Sequence, residues 1–183
     1  KEVDAIYGDI VLRNGHLTAV IAEPKSTRHA NMTTKDVGGC LIDLTARNAQ
    51  SDQLAVYYPG KKGIVYQSAE VVVSGSETTR VSTAGRIDRG ARAEVAVVSA
   101  GTAERPETRT VYSLGAGDEF LSVTTMYRNT GSAAMGVNLE DDFRADGGKE
   151  DMPRSPNGTA DSFWLHDRFW GQAYVLEADS RKL

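Results

Sequence analysis

Val65-Tyr66, Glu70-Val71-Val72-Val73-Ser74, Thr78-Thr79-Arg80-Val81-Ser82-Thr83, Arg92 to Ser99, Glu107 to Ser113, Phe120 to Arg128 and Ala134 to Leu139 follow one another between glycine breaks. Each run is rich in Val, Thr and Tyr, which fit a pleated, half-buried surface better than a helix. A chain built this way buries side chains between sheets and leaves chemistry to its loops. The expected fold is mainly β, a two-sheet antiparallel β-sandwich. Within Phe120 to Arg128, the residues Leu121, Val123, Thr125 and Tyr127 alternate against Phe120, Ser122, Thr124 and Met126. Apolar side chains fall on both sides, which predicts a central strand covered on both faces.

Upstream of this stretch, Asp9-Ile10-Val11-Leu12 and Leu17 to Ala22 flank Arg13-Asn14-Gly15-His16. Asn-Gly between two apolar β runs predicts a hairpin whose two turn residues take positive φ. Pro24 ends the second run. A polar segment over 25–39 closes in Gly38-Gly39, and loops of this length are disproportionately functional. Cys40 to Leu44 and Leu54 to Tyr58 are the next expected strands, with Pro59-Gly60 stopping the second; Ala46 to Gln53 has room for a short helical turn. From Glu140 to Asn157 the chain is acidic and glycine-rich. The closing segment, Phe163 to Leu176, concentrates aromatics and ends in a strand.

With 183 residues and no repeat of fixed period, residues 1–183 are expected to form one domain. Net charge is −4, from 21 basic and 25 acidic residues mixed along the chain, so no clustered basic stripe for nucleic acid is present. No apolar run reaches the length of about 20 residues that a membrane helix needs. The chain opens at Lys1 and stops at Leu183 without turn or capping logic, and is expected to be a domain of a longer multidomain protein. Its single Cys40 forms no internal disulfide and reads as a core thiol.

Three stretches share a pattern: Gly8-Asp9-Ile10-Val11-Leu12-Arg13-Asn14-Gly15, then Gly38-Gly39-Cys40-Leu41-Ile42-Asp43-Leu44, then Phe120 to Asn129 followed by Asp141-Asp142. Together they resemble the galactose mutarotase-like supersandwich, the fold of aldose epimerases and of domains in sugar-active hydrolases and lyases. The resemblance extends to accessory domains at the front of large exported bacterial proteins. It implies loops on a concave face that hold sugar, a periplasmic or extracellular setting, and neighbouring domains as partners. An epimerase of that kind sets a His general acid against a carboxylate base across one sugar. None of His16, His29 and His166 matches the family's catalytic histidine, so no catalytic residue is carried over.

Candidate contact residues follow from chemistry. Sugar C–H faces stack on indole rings while hydroxyls need charged or amide groups, and Trp164 and Trp170 flank His166, Asp167 and Arg168. Core filling is the favoured reading of aromatics on a final strand; two Trp beside three polar groups keep the segment as a glycan candidate. Asp141 and Asp142 lie in the densest carboxylate cluster, and His29 lies in the polar loop. Asp142, Asp146 and Asp151 lack the alternate spacing of a calcium loop, and a solvated acidic loop beside Arg144 is preferred. No zinc or phosphate-loop pattern occurs, and Asn31-Met32-Thr33 and Asn157-Gly158-Thr159 fit a sequon too short to carry weight. No cofactor or metal is expected. The functional expectation is a non-catalytic module that binds carbohydrate or packs against neighbouring domains. The alternative is a sugar-active enzyme of the aldose epimerase or polysaccharide lyase type.

Overall fold

The computed structural model describes residues 5–48, 54–73, 91–145, 150–151, 162–168 and 171–178, and none of these is helical. The strands are β1 (Ile10–Arg13), β2 (Leu17–Ile21), β3 (Leu41–Ala46), β4 (Leu54–Tyr58), β5 (Ser68–Val73), β6 (Arg92–Ser99), β7 (Glu107–Gly115), β8 (Ser122–Arg128), β9 (Asp142–Ala145), β10 (Glu150–Asp151), β11 (Ser162–Asp167) and β12 (Gln172–Glu177). They form three sheets, ordered β1-β2-β3-β4-β9, β5-β6-β7-β8 and β10-β11-β12. Every pairing is antiparallel.

One apolar cluster joins all three sheets. Ala19, Ile21, Leu41 and Tyr57 from the five-stranded sheet meet Val95, Val97, Tyr112 and Leu114 from the four-stranded one, and Tyr174 and Leu176 of β12 pack against them. Burying such side chains stabilises the fold by roughly 25 cal/mol per Å² of apolar surface removed from water, the main force holding the sheets together. The opposite face of the five-stranded sheet is also covered. Val20, Ile42, Val56 and Tyr58 form a second cluster there with Val37 and Cys40. Two bulges make this division possible. The register slips between Val20 and Ile21 and between Leu54 and Val56. The second slip lets Leu54 and Tyr57, three residues apart, face the same cluster.

The cover is the segment over 25–39, and it behaves as packing rather than as an open loop. Arg28, Thr34 and Val37 within it are buried. Arg28 donates from Nε to Asp9 Oδ1 at 3.0 Å and from Nη2 to Asp9 Oδ2 at 2.6 Å. Asp9 also accepts the backbone N–H groups of Glu23 at 2.8 Å and Ile6 at 3.0 Å. The Tyr58 hydroxyl donates to Lys35 O, and Arg144 donates to Thr33 O. Gly39 closes the segment at φ 79°, where a Cβ would fall 2.6 Å from Cβ of Tyr66, so only glycine fits. Burial pushes the Cys40 thiol up to about 12, which leaves it an inert core group.

Four expectations need correction. The β1–β2 hairpin is present, but neither Asn14 nor Gly15 has positive φ. The Asn14 side chain makes the turn instead, with Oδ1 accepting the N–H groups of His16 and Leu17, each at 2.8 Å. Among the described strands β8 lies at the edge of its sheet, not in the centre, and its residues alternate between exposed and half-buried. Its outward apolar residue is Met126; Phe120, ahead of the strand, also lies exposed. Val65-Tyr66 and Ala134 to Leu139 are not strands. In the latter, Asn129 ties Gly131 and Ala133 into a local turn, and Val137 and Leu139 find no face to bury. Ala46 ends β3 and Arg47-Asn48 form a turn, so the expected helix does not start there; 49–53 and the strand expected over Thr78 to Thr83 lie outside the described residues.

Candidate functional site

β11 and β12 form a hairpin with one face in the core and one in solvent. Trp164 pairs with Val175, His166 with Ala173 and Ser162 with Glu177, while Phe163 pairs with Leu176 and Leu165 with Tyr174. Side chains alternate along a strand, so the second set faces inward. Phe143 of β9 seals it, with ring centroids 6.2 Å from Phe163 and 6.1 Å from Tyr174 in tilted geometry. The first set faces out. Trp164 keeps 39% of its surface accessible and Val175 keeps 62%. His166, two residues from Trp164, is half-buried on the same face, and Arg168 follows at the exposed turn. Aromatic filling therefore describes Phe163 and Tyr174, whereas Trp164 is left over by it. Trp170 lies outside the described residues.

The structure does not bring the other candidates to this face. His29 sits on the segment covering the far side of the five-stranded sheet, where its Nδ1 accepts the Asp36 N–H at 3.1 Å. Asp141 and Asp142 grip the turn after β4. Asp141 accepts the Tyr57 hydroxyl and the Gly60 N–H, each at 2.6 Å, and Asp142 accepts the Lys62 N–H at 2.6 Å. Glu140 pairs with Lys61 Nζ at 2.7 Å. Residues 140–142 are thus a clasp for the turn after β4, holding two backbone N–H groups, the Tyr57 hydroxyl and the Lys61 ammonium. Asp146, the middle member of the calcium set weighed from sequence, lies outside the described residues. Among the described residues no three His, Cys, Asp or Glu side chains are grouped to hold a metal, and no helix is long and apolar enough to cross a membrane.

Sequence reasoning missed a buried tyrosine network beside that clasp. Tyr66 donates to Pro59 O at 3.0 Å and its hydroxyl lies 2.8 Å from Thr110 Oγ1, which in turn is 3.0 Å from Thr125 Oγ1. Tyr112 donates to Gly39 O at 2.8 Å. Burial first, and the Asp141 carboxylate second, push the Tyr57 phenol far above its ordinary value; burial does the same to Tyr66 and Tyr112. These phenols stay protonated and serve as donors that tie loops to sheets. The available signal was spacing: Tyr57, Tyr66, Tyr112 and Tyr127 each sit in or beside a β run.

Compared with protein-family models, with curated proteins and with solved structures, the chain matches none. Its function therefore rests on the chemistry of its own surface.

Proposed function

We propose that this chain is a non-catalytic, supersandwich-like module of two packed sheets whose outward β11–β12 face is a contact surface for carbohydrate. One observation carries the reading: a half-exposed Trp164 stands on a well-packed hairpin with Val175 directly across and His166 two residues along. The rigid inner side of the hairpin fixes the indole, which lowers the entropy cost of stacking a pyranose on it. His166 and Arg168 supply hydrogen bonds for hydroxyl groups at the rim. The shared core cluster supports the two-sheet packing, and the resemblance to galactose mutarotase-like domains favours sugar over other flat apolar ligands. A neighbouring domain of a parent chain is the competing occupant of the same face.

Intrinsic tryptophan fluorescence titrated with a panel of soluble polysaccharides tests this. At least one polysaccharide should shift the emission, and Trp164→Ala should weaken its binding by about tenfold or more, a loss of roughly 1.4 kcal/mol. No response across the panel, or unchanged affinity in Trp164→Ala, contradicts the proposal. Anomer interconversion of glucose or galactose seen by polarimetry, and abolished by His166→Ala, would establish the enzyme alternative.

A further inference from the structure

Asn14-Gly15 carries a chemical liability that the fold holds in check. Asparagine is a thermolabile residue, and before glycine its amide lies open to its own backbone. The Gly15 nitrogen, with no Cβ beside it, attacks Cγ of Asn14. The new N–Cγ bond closes a succinimide ring, the Cγ–Nδ2 bond breaks, and Nδ2 leaves as ammonia with the proton of the Gly15 N–H. Water then opens the ring to an aspartate or an isoaspartate at position 14. In this chain the attacking side is unguarded. Gly15 is exposed, its N–H meets no acceptor among the described residues, and nothing lies within 4 Å of a Cβ placed on it. The leaving side is held. Oδ1 accepts the N–H groups of His16 and Leu17, and Nδ2 donates both hydrogens, to Gly115 O at 2.7 Å and Asp118 O at 2.8 Å. Donors at one end of the amide and acceptors at the other fix its orientation.

We propose that Asn14 is a deamidation site locked by the β7–β8 connection, and that opening of this tie starts a one-way modification. Ammonia leaves only when the amide turns out of its plane and its nitrogen gains a proton. Two carbonyl groups on Nδ2 oppose both steps. The lock belongs to a distant part of the chain, where Asp118 Oδ2 accepts the Gly115 N–H at 2.9 Å and so sets the two carbonyls. The bonds from His16 and Leu17 are local to the hairpin turn and outlast the opening, which keeps Cγ polarised towards attack. The product cannot return to the lock. A carboxylate at position 14 has no hydrogen to donate and turns acceptors towards Gly115 O and Asp118 O, so the tie between the first hairpin and the β7–β8 connection stays open. No residue of the β11–β12 face takes part, so this proposal and the carbohydrate reading are tested apart.

Peptide mapping by mass spectrometry of the 183-residue chain, aged at mildly alkaline pH with and without urea, reads the rate at Asn14. In the folded chain that rate should fall about tenfold or more below the rate in urea, as the two long-range bonds must open first. Asp118→Ala keeps Asn14-Gly15 but frees the turn that sets the carbonyls. Its folded form should deamidate about fivefold faster than the folded parent, as one hydrogen bond of the lock's support is lost, with the far-UV spectrum unchanged. Asn14→Asp makes the product directly. It should melt below the parent, and its amides over 115–118 should exchange faster with deuterated water; this comparison decides the matter if Asp118→Ala does not fold. A folded rate equal to the urea rate overturns the inference. So does a folded Asp118→Ala that deamidates no faster than the parent, or an Asn14→Asp chain that melts and exchanges as the parent does.

Discussion

At the scale of single residues, the decisive polar groups are those that hold chain segments rather than those that face solvent. Asp9 is the strongest example. Its burial works to raise the carboxyl pKa, but the Arg28 guanidinium and the N–H groups of Ile6 and Glu23 outweigh it, and the group ends below its ordinary value. A carboxylate depressed in the folded state stabilises the fold above its unfolded value, about 3.9, and that contribution is lost as pH falls through the lower folded value. Asp9→Asn should therefore cost about 3 kcal/mol near neutral pH, since it also leaves a buried guanidinium without its counterion. The gap between the two proteins should close on acidification. Urea midpoints measured at a series of pH values check this, and parallel curves would contradict it. For Tyr57, removal of the hydroxyl that donates to Asp141 should cost about 1 kcal/mol. Tyr57→Phe followed by chemical denaturation measures it, and an unchanged midpoint would remove Asp141 from its clasp role.

At the scale of elements, the β1–β2 turn separates what sequence encodes from what packing decides. The hairpin was legible because Ile10 to Leu12 and Leu17 to Ile21 are apolar runs around Asn14-Gly15. The turn geometry was not, because Asn14 has long-range partners that no local rule contains. Its Nδ2 donates to Gly115 O at 2.7 Å and to Asp118 O at 2.8 Å, which ties the first hairpin to the β7–β8 connection. Gly15 itself has no positive φ, and nothing lies within 4 Å of a Cβ placed on it. Gly15→Ala should thus leave stability within about 0.5 kcal/mol, whereas Asn14→Ala should lose about 1–3 kcal/mol as two carbonyl groups lose their donor. Thermal melts of the two variants compare them; a large loss in Gly15→Ala would restore the positive-φ turn. β8 was misread for a related reason. Phe120 and Met126 make its outward side look apolar, but among the described residues no layer covers them. The Cys40 to Leu44 and Leu54 to Tyr58 strands were read correctly because both their faces are buried, and continuous apolar runs report that condition.

At the scale of the whole molecule, the all-β character and the succession of antiparallel strands were readable from β-branched runs and their punctuation. The role of the 25–39 segment as the cover of one sheet face was not. Its buried members, Arg28, Thr34 and Val37, are scattered among polar residues, and only their distant partners reveal them. The candidate site was legible in part. Trp164 and His166 share β11, where alternation places them on one side, and Arg168 follows at its turn. Asp141 and Asp142 looked equally available but are engaged by a turn some eighty positions upstream, a separation that a linear reading does not bridge. What results is an all-β scaffold with tilted aromatic rings on the inner side of its β11–β12 hairpin and the Trp164 indole on the outer side. The central claim is that this outer indole meets carbohydrate while the scaffold stays unchanged. Isothermal titration with the polysaccharide that shifts the emission, run on the parent chain, Trp164→Ala and Asp141→Asn, tests it most directly. The account predicts that Trp164→Ala abolishes or severely weakens binding with its melting temperature intact, and that Asp141→Asn binds normally but melts earlier. Normal binding by Trp164→Ala, with binding lost in a still-folded Asp141→Asn, would contradict it.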